Sequence, residues 1–443
     1  MSSRGGASLA LPFTRRRLGN GLDVIVHEDH RVPIVAVNVW YHVGSKNERP
    51  GRTGFAHLFE HLMFEGSQHH DRGYFPPLQQ AGAQLNGSTN TDRTNYWEVV
   101  PTSAIDRALW MESDRMGYLL PALTHERFET QRKVVLNERR QSYENRPYGL
   151  ALMALMTGLF PFEHPYRWPT IGDVADLHAM QFDDVRDFFR TYYGPSNASL
   201  VLAGDVETGE AFELAERYFG DLPPGARPAP VHAAASLAQE RRLVLEDRVE
   251  LPRLYMAWHS PAMFAKDDAE LDLVADVVAN GKAARLYRTL VYESRVALDV
   301  SASQQSRELG SVFVLAATAA PGKSLAEVAA RVDVALTELA AAGPTEAEME
   351  RSRAQVESTF LYRLQTVGGF GGKSDQLNAY NVLRGDPGYF AQDFERYESA
   401  TQDSVRAAAG RFLLAEGRVM LCIVPRGQAT AAALPGSEPI SVA

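Results

Sequence analysis

The sequence predicts an α+β protein of two homologous domains, each a mixed, largely antiparallel sheet covered by helices. Three observations lead there. The chain has 443 residues, too many for one hydrophobic core and enough for two domains of about 200 residues each. Related segments recur at a separation near half its length, the mark of a duplication. Strand-like runs flank groups of helical segments instead of alternating strictly with them, which favours helix-covered sheets over a doubly wound fold.

The repeat is legible in two places. Glu28–His42 resembles Glu246–His259, with Pro33 and Pro252 corresponding at an offset of 219 residues, and Asp184–Arg190 echoes Ser404–Gly410 at an offset of 220. Between the copies lies the proline-rich stretch 222–236, in which helix and central strand are disfavoured. This stretch reads as a linker, leaving domains at 12–221 and 237–426. Strands are expected at Leu22–Val26, Ile34–Val43 and Ala198–Ala203 in the first copy. In the second they are expected at Leu243–Leu245, Leu254–Trp258 and Arg418–Val424, all runs rich in β-branched and apolar residues. Helical periodicity covers Gly54–Phe64, Ser103–Leu120, Glu126–Tyr143 and Phe182–Tyr192, then Asp268–Ala279, Ser324–Ala342 and Thr345–Leu364. The small, polar ends, 1–11 and 427–443, are expected to be loose.

Composition excludes several classes. Lys and Arg total 45 against 55 Asp and Glu, a net charge of −10, so no basic surplus exists to displace phosphate counterions and nucleic acid is not an expected partner. No uninterrupted apolar run approaches the roughly 20 residues of a membrane span. One cysteine, Cys422, excludes an intrachain disulfide and a cysteine-ligated metal, and its apolar surroundings read as core. The first ten residues hold no apolar stretch of secretory-signal length, which fits either a cytoplasmic protein or the mature form of an exported one.

The chemistry lies in the first helix, Gly54-Phe-Ala-His57-Leu-Phe-Glu60-His61-Leu-Met-Phe64. His57 and His61, four residues apart, project about 40° from each other on one face and can converge on one Zn²⁺. Glu60 stands beside them, placed for a base acting on water at the metal without being a ligand. Leu58, Phe59, Leu62 and Met63 surround this helix with apolar contacts, and two histidines with a carboxylate would be costly there without partners. Farther along, Phe128, Gln131, Val135, Glu138 and Ser142 form one stripe at spacings of three and four. An acid on an apolar stripe needs a buried partner, and a cation would serve. Glu129, Glu112 and Asp114 are weaker candidates.

The His-x-x-Glu-His pattern is the inverted zinc-peptidase signature, and the chain resembles the family that includes pitrilysin, insulysin and the mitochondrial processing peptidase. That resemblance implies a third zinc ligand at Glu138, one zinc per chain held by His57, His61 and Glu138, and Glu60 as the general base. It implies hydrolysis of extended peptides in a closed chamber, one half of a clamshell coming from this chain. Asn86, Gly87 and Ser88, in the segment Leu85–Tyr96, resemble the family's sheet edge, where a peptide would be held by strand addition. His164-Pro-Tyr166 and Ile171-Gly172 resemble a family loop that could serve structure or function, and His69-His70 reads as a solvated loop.

Departures from the family pattern carry expectations of their own. Many members have a second glutamate seven residues before the third ligand; Gln131 stands there, a neighbour able to hydrogen-bond a ligand but adding no charge. The second copy has no His-x-x-Glu-His, so it cannot hold the metal. The family's arginine and tyrosine, seven residues apart, align with Val291 and Leu298, neither of which can donate a hydrogen bond. The resemblance thus implies a heterodimer with a paralogous subunit carrying the Arg/Tyr pair, the alternative being a homodimer. A periplasmic location is implied by the export of many short members, with the cytoplasm as the alternative. A catalytically silent scaffold of the same fold is the competing function.

Overall fold

The structure, a computed structural model, describes residues 10–442. The strands are β1 (Thr14–Arg17), β2 (Asp23–Glu28), β3 (Ile34–Tyr41), β4 (Gln84–Thr89), β5 (Thr94–Pro101) and β6 (Ala198–Gly204), then β7 (Arg241–Asp247), β8 (Arg253–Ser260), β9 (Ala297–Gln305), β10 (Ser311–Ala319), β11 (Arg418–Pro425) and β12 (Glu438–Pro439). Helices α1 (Phe55–Leu62), α2 (Phe75–Gln80), α3 (Ile105–Ala122), α4 (His125–Arg139), α5 (Ala151–Leu159), α6 (Val174–Ala179), α7 (Phe182–Tyr192) and α8 (Thr208–Phe219) precede the linker. After it come α9 (Asp268–Val278), α10 (Leu325–Ala342), α11 (Glu346–Arg363), α12 (Lys373–Arg384), α13 (Phe390–Glu398) and α14 (Gln402–Leu413).

Two six-stranded sheets share the plan of five strands and differ in the sixth: β1 joins β2 antiparallel, whereas β12 joins β7 in parallel. The first runs β1-β2-β6-β3-β5-β4 and the second β12-β7-β11-β8-β10-β9. In each, one internal pair is parallel (β2 with β6, β7 with β11) and the pairs that follow it toward the far edge are antiparallel. The shared order is the structural form of the repeat, with β3 and β8 beginning just after Pro33 and Pro252. No helix of the described residues is long and apolar enough to cross a membrane.

The chain divides into two units that are not contiguous. The first comprises residues up to Leu136, Pro169–Val231 and Ser358–Phe394; the second comprises Asn137–Trp168, His232–Glu357 and Glu395 onward. This differs from the expected halves 12–221 and 237–426, because one helical segment from each half belongs to the unit built on the other half's sheet. The reason is packing. In the second unit, Ala151, Ala154, Leu155 and Leu159 of α5 share a buried cluster with Leu243, Val312, Val419 and Leu421. The opposite face of that sheet meets α9, α10 and α14 through Val244, Met256, Phe313 and Met420. In the first unit, α12 lies on β3 and β6: Asn378 Nδ2 donates to the Asn38 carbonyl (2.8 Å), and Asn381 Nδ2 donates to Ser199 Oγ (2.8 Å).

The C-terminal tail is not loose. Glu438–Pro439 pairs in parallel with β7, Ile440 N donates to the Val244 carbonyl, and Leu434 is buried. Its apolar residues, sparse among small polar ones, give no periodicity that would reveal this. Of the N-terminal tail, residues 1–9 lie outside the described residues.

Candidate metal centre

Helix α1 starts without a side-chain cap of its own: its N-cap is Gly54, at φ 95°, a left-handed conformation that favours glycine. The orphan amides are taken by Glu48, whose carboxylate accepts from Gly54 N (2.9 Å) and Ala56 N (2.8 Å). Thr53 anchors the entry: its N and Oγ1 both donate to Asp176 Oδ2 (3.0 and 2.7 Å), and its Oγ1 accepts from Asp173 N (2.9 Å). Gly172 belongs to the same clamp. A Cβ there would stand 2.6 Å from the Gly54 Cα, so of the two duties open to Ile171-Gly172 the packing gives Gly172 a structural one. Leu58, Phe59, Leu62 and Met63 are fully buried, leaving His57, Glu60 and His61 on the half-buried face. Tyr96 OH, from β5, donates to the Phe59 carbonyl (3.2 Å) and holds the middle of the helix against the sheet.

The third residue comes from the last turn of α4. Thr124 Oγ1 accepts from Arg127 N at its start, Phe128 and Val135 are buried, and Gln131 and Glu138 lie between exposed and buried. The boundary between the two units falls inside this helix, after Leu136. Ligand atoms of His57, His61 and Glu138 all lie within 4.8 Å of one another, and the imidazole centroids are 4.9 Å apart. Two imidazoles and one carboxylate at such separations suit Zn²⁺ with a coordination position left open.

The weaker candidates are committed elsewhere. Glu112 pairs with Arg115 and accepts from Tyr74 OH (3.0 Å); Asp114 holds Ser67 and His69; Glu129 pairs with Arg132. His69 is therefore pinned, though its loop is exposed. Gln131 Nε2 donates to Glu65, four residues beyond His61, tying α4 to the segment that follows α1. His164 is buried in the second unit, its ring stacked on Phe160 (4.4 Å) and its Nδ1 accepting from Tyr166 N (3.1 Å). Burial, with His259 nearby, pushes its pKa down to about 4; it is a neutral structural histidine.

Asn86, Gly87 and Ser88 lie on β4, which ends the first sheet. Ladder alternation sets their faces. Asn86 and Ser88 stand opposite Trp97 and Asn95, and Gly87 opposite Tyr96. A Cβ on Gly87 would meet the rings of Tyr96 and Phe64 at 3.0–3.1 Å, so the strand approaches that face closely only because residue 87 lacks a side chain. Hydrogen-bonded pairing of Asn90 with Arg93 turns the Gly87 N–H and C=O to the open edge, where Asn86 Oδ1 accepts from Gly87 N (2.8 Å). In the second unit, Val291 packs against the core and Leu298 is exposed on β9; the neighbouring Arg288 reaches Glu293.

Sequence reasoning missed Glu48, Arg93 and Asp375. Glu48 lies six residues before Gly54, a distance set by loop shape with no periodic signal. Asp375 is brought to the first sheet only by the exchange of segments.

A two-domain α+β fold with His-x-x-Glu-His on a buried helix and a glutamate on a second helix defines a class of metallopeptidase-like proteins. Comparison with known proteins makes it specific. A profile described as insulinase, peptidase family M16, matches residues 23–164. A second, described as the peptidase M16 inactive domain, matches 179–356, a span without His57, Glu60, His61 or Glu138. The chain belongs to this family. It is 29% identical over 382 residues to zinc protease PqqE of Helicobacter pylori, covering 85% of each chain. It is 24% identical over 427 residues to the mitochondrial-processing peptidase subunit beta of Lentinula edodes, covering 91% and 88%. Among solved structures, a protease from Helicobacter pylori superposes with a TM-score of 0.86 at 25% identity, over 94% of this chain and all of that one. A peptidase M16 inactive domain from Pseudomonas fluorescens gives 0.83 at 18% identity, over 97% and 100%, a likeness of fold alone.

Proposed function

We propose that the chain is a zinc-dependent peptidase subunit that hydrolyses extended peptides and works with a second, paralogous subunit. The observation that carries this reading is the convergence of His57, His61 and Glu138 within 4.8 Å, with Glu60 on the same helix. These three residues would hold one zinc. When bound, it supplies a Lewis acid that polarises the scissile carbonyl and acidifies water. Glu60 would take the proton of the attacking water and return it to the leaving amine. Gln131 would support α4 beside the ligands, and Asn86, Gly87 and Ser88 would pair with the peptide as an added strand.

The partner reading rests on what is missing. Val291 and Leu298 occupy the places aligned with the family's substrate-binding arginine and tyrosine, and each lost oxyanion donor costs about 3–4 kcal/mol of barrier. A self-paired dimer would lack both, so the paralogue is expected to supply them. Periplasmic residence goes with this reading.

Elemental analysis together with a quenched-fluorescent peptide library tests it. About one zinc per chain is expected, lost in His57→Ala and His61→Ala, and weakened more by Glu138→Gln than by Glu129→Gln. Glu60→Gln should keep zinc and lose hydrolysis by orders of magnitude. Zinc without hydrolysis, even after the paralogue is added, would leave the silent scaffold as the function.

A further inference from the structure

A buried polar relay reaches the edge of β4 from the face opposite α1. It starts at Asp375, on the α12 segment contributed by the second half of the chain. Asp375 Oδ1 accepts from Trp40 Nε1 (2.9 Å) and Asn95 Nδ2 (3.1 Å), and its Oδ2 accepts from Gly371 N (2.8 Å). Asn95 Oδ1 then accepts from Ser88 Oγ (2.7 Å). Arg93 Nη1 closes the relay by donating to the Ser88 carbonyl (2.8 Å) and Oγ (2.6 Å), its guanidinium 5.0 Å from the Trp40 ring centroid. Asn95, Trp40 and Asp375 are all buried.

Such a network is expensive to leave half made, because each buried donor or acceptor that loses its partner keeps its full desolvation cost. It also sits where rigidity matters. An edge strand has a ladder partner on one side only, so its position depends on what braces it. On the α1 face the brace is the ring contact at Gly87; on the other face it is this relay. Burial lowers the Arg93 pKa, and the charges of Asp375, Glu60 and Asp92 oppose that shift.

We propose that Asp375 and Arg93 are positioning residues that fix the β4 edge, through Asn95 and Ser88, in the conformation that accepts a peptide strand. This rests on the peptidase reading and extends it to residues outside the motif. Neither residue needs to touch the peptide. Asp375 acts through Asn95, and Arg93 through the Ser88 backbone.

The test uses the zinc-loaded full chain carrying Glu60→Gln, so that peptide is bound and not cut. A fluorescein-labelled, mixed-sequence peptide of about a dozen residues is titrated by fluorescence anisotropy. Asp375→Asn and Arg93→Lys should each weaken binding about tenfold or more, with zinc content unchanged. Because both act on one relay, the double variant should bind no more weakly than the poorer single, within about twofold. Unchanged affinity, additive losses, or losses that track loss of zinc would overturn the inference; Arg93→Lys, at a half-buried position, decides it if Asp375→Asn does not fold. A parent that binds no peptide overturns the peptidase reading along with it. A parent that binds, with variants that bind equally well, overturns the inference alone.

Discussion

Glu48 closes the amino end of α1 with a carboxylate that is itself buried. Burial pushes its pKa up to about 8, against the pull of the Ala56, Gly54 and Phe55 amides. A carboxyl whose folded pKa exceeds its unfolded value contributes stability that is fully present below the ordinary carboxylate range. That contribution is lost as pH rises through about 8. Glu48→Gln replaces the neutral acid's hydroxyl oxygen, which can still accept from an amide, by an NH2 that can only donate, so it should cost about 1–2 kcal/mol near pH 6. The deficit should narrow by pH 9, because only the wild type must then hold a buried carboxylate; urea unfolding across that range measures it. His164 works in the opposite sense. Its depressed pKa means that the unfolded chain takes up a proton that the folded chain refuses, so stability falls as pH drops from about 6.5 toward about 4. His164→Asn, which keeps an acceptor for Tyr166 N, should move the acid-unfolding midpoint to lower pH. A midpoint that stays put or rises would show that His164 does not govern it.

Elements whose own residues carry the signal were legible in the sequence. The stretch Phe182–Tyr192 is a helix at the expected bounds, because acidic residues open it and Val185 and Phe189 bury one stripe. Helix α1 was legible through its chemistry, whereas Glu138 was singled out by the family resemblance, with its place on an apolar stripe as support. The entry to α1 was not. Gly54 and Gly172 are far apart in sequence, yet their backbones touch, and no local pattern announces a close approach between two loops. Gly172→Ala should therefore lower stability by more than about 2 kcal/mol and reduce zinc occupancy with it. Gly209→Ala, on α8 with nothing within 4 Å of its Cβ position, should be neutral or stabilising. Equal effects of the two substitutions on thermal unfolding would show that the approach does not constrain α1.

At the scale of the molecule, the duplication was legible and the exchange was not. Neither α5, apolar on almost every side, nor α12, whose buried face includes Ser374, Asn378 and Asn381, stood out as a helix in the sequence, and neither says which of two similar sheets will receive it. The linker 222–236 has no helix or strand and is mostly exposed, so a protease should cut there. Each unit nevertheless contains segments from both sides of that cut. The nicked fragments should co-elute in native buffer and separate only in denaturant; separation under native conditions would contradict the exchange.

The same exchange sets a schedule for a chain made from its amino end. The first sheet acquires β6 by residue 204 and would, in a contiguous domain, be complete soon afterwards. Here one of its faces is covered only when residues 358–394 have been made, long after β6. Until then Asn38 and Ser199, buried in the finished protein, have no α12 to hydrogen-bond. Pairings this distant along the chain close slowly, and nascent intermediates of this kind expose apolar surface to their neighbours. A ribosome-bound intermediate ending just past the linker should consequently be protease-sensitive and chaperone-bound, although it already contains His57, Glu60, His61 and Glu138.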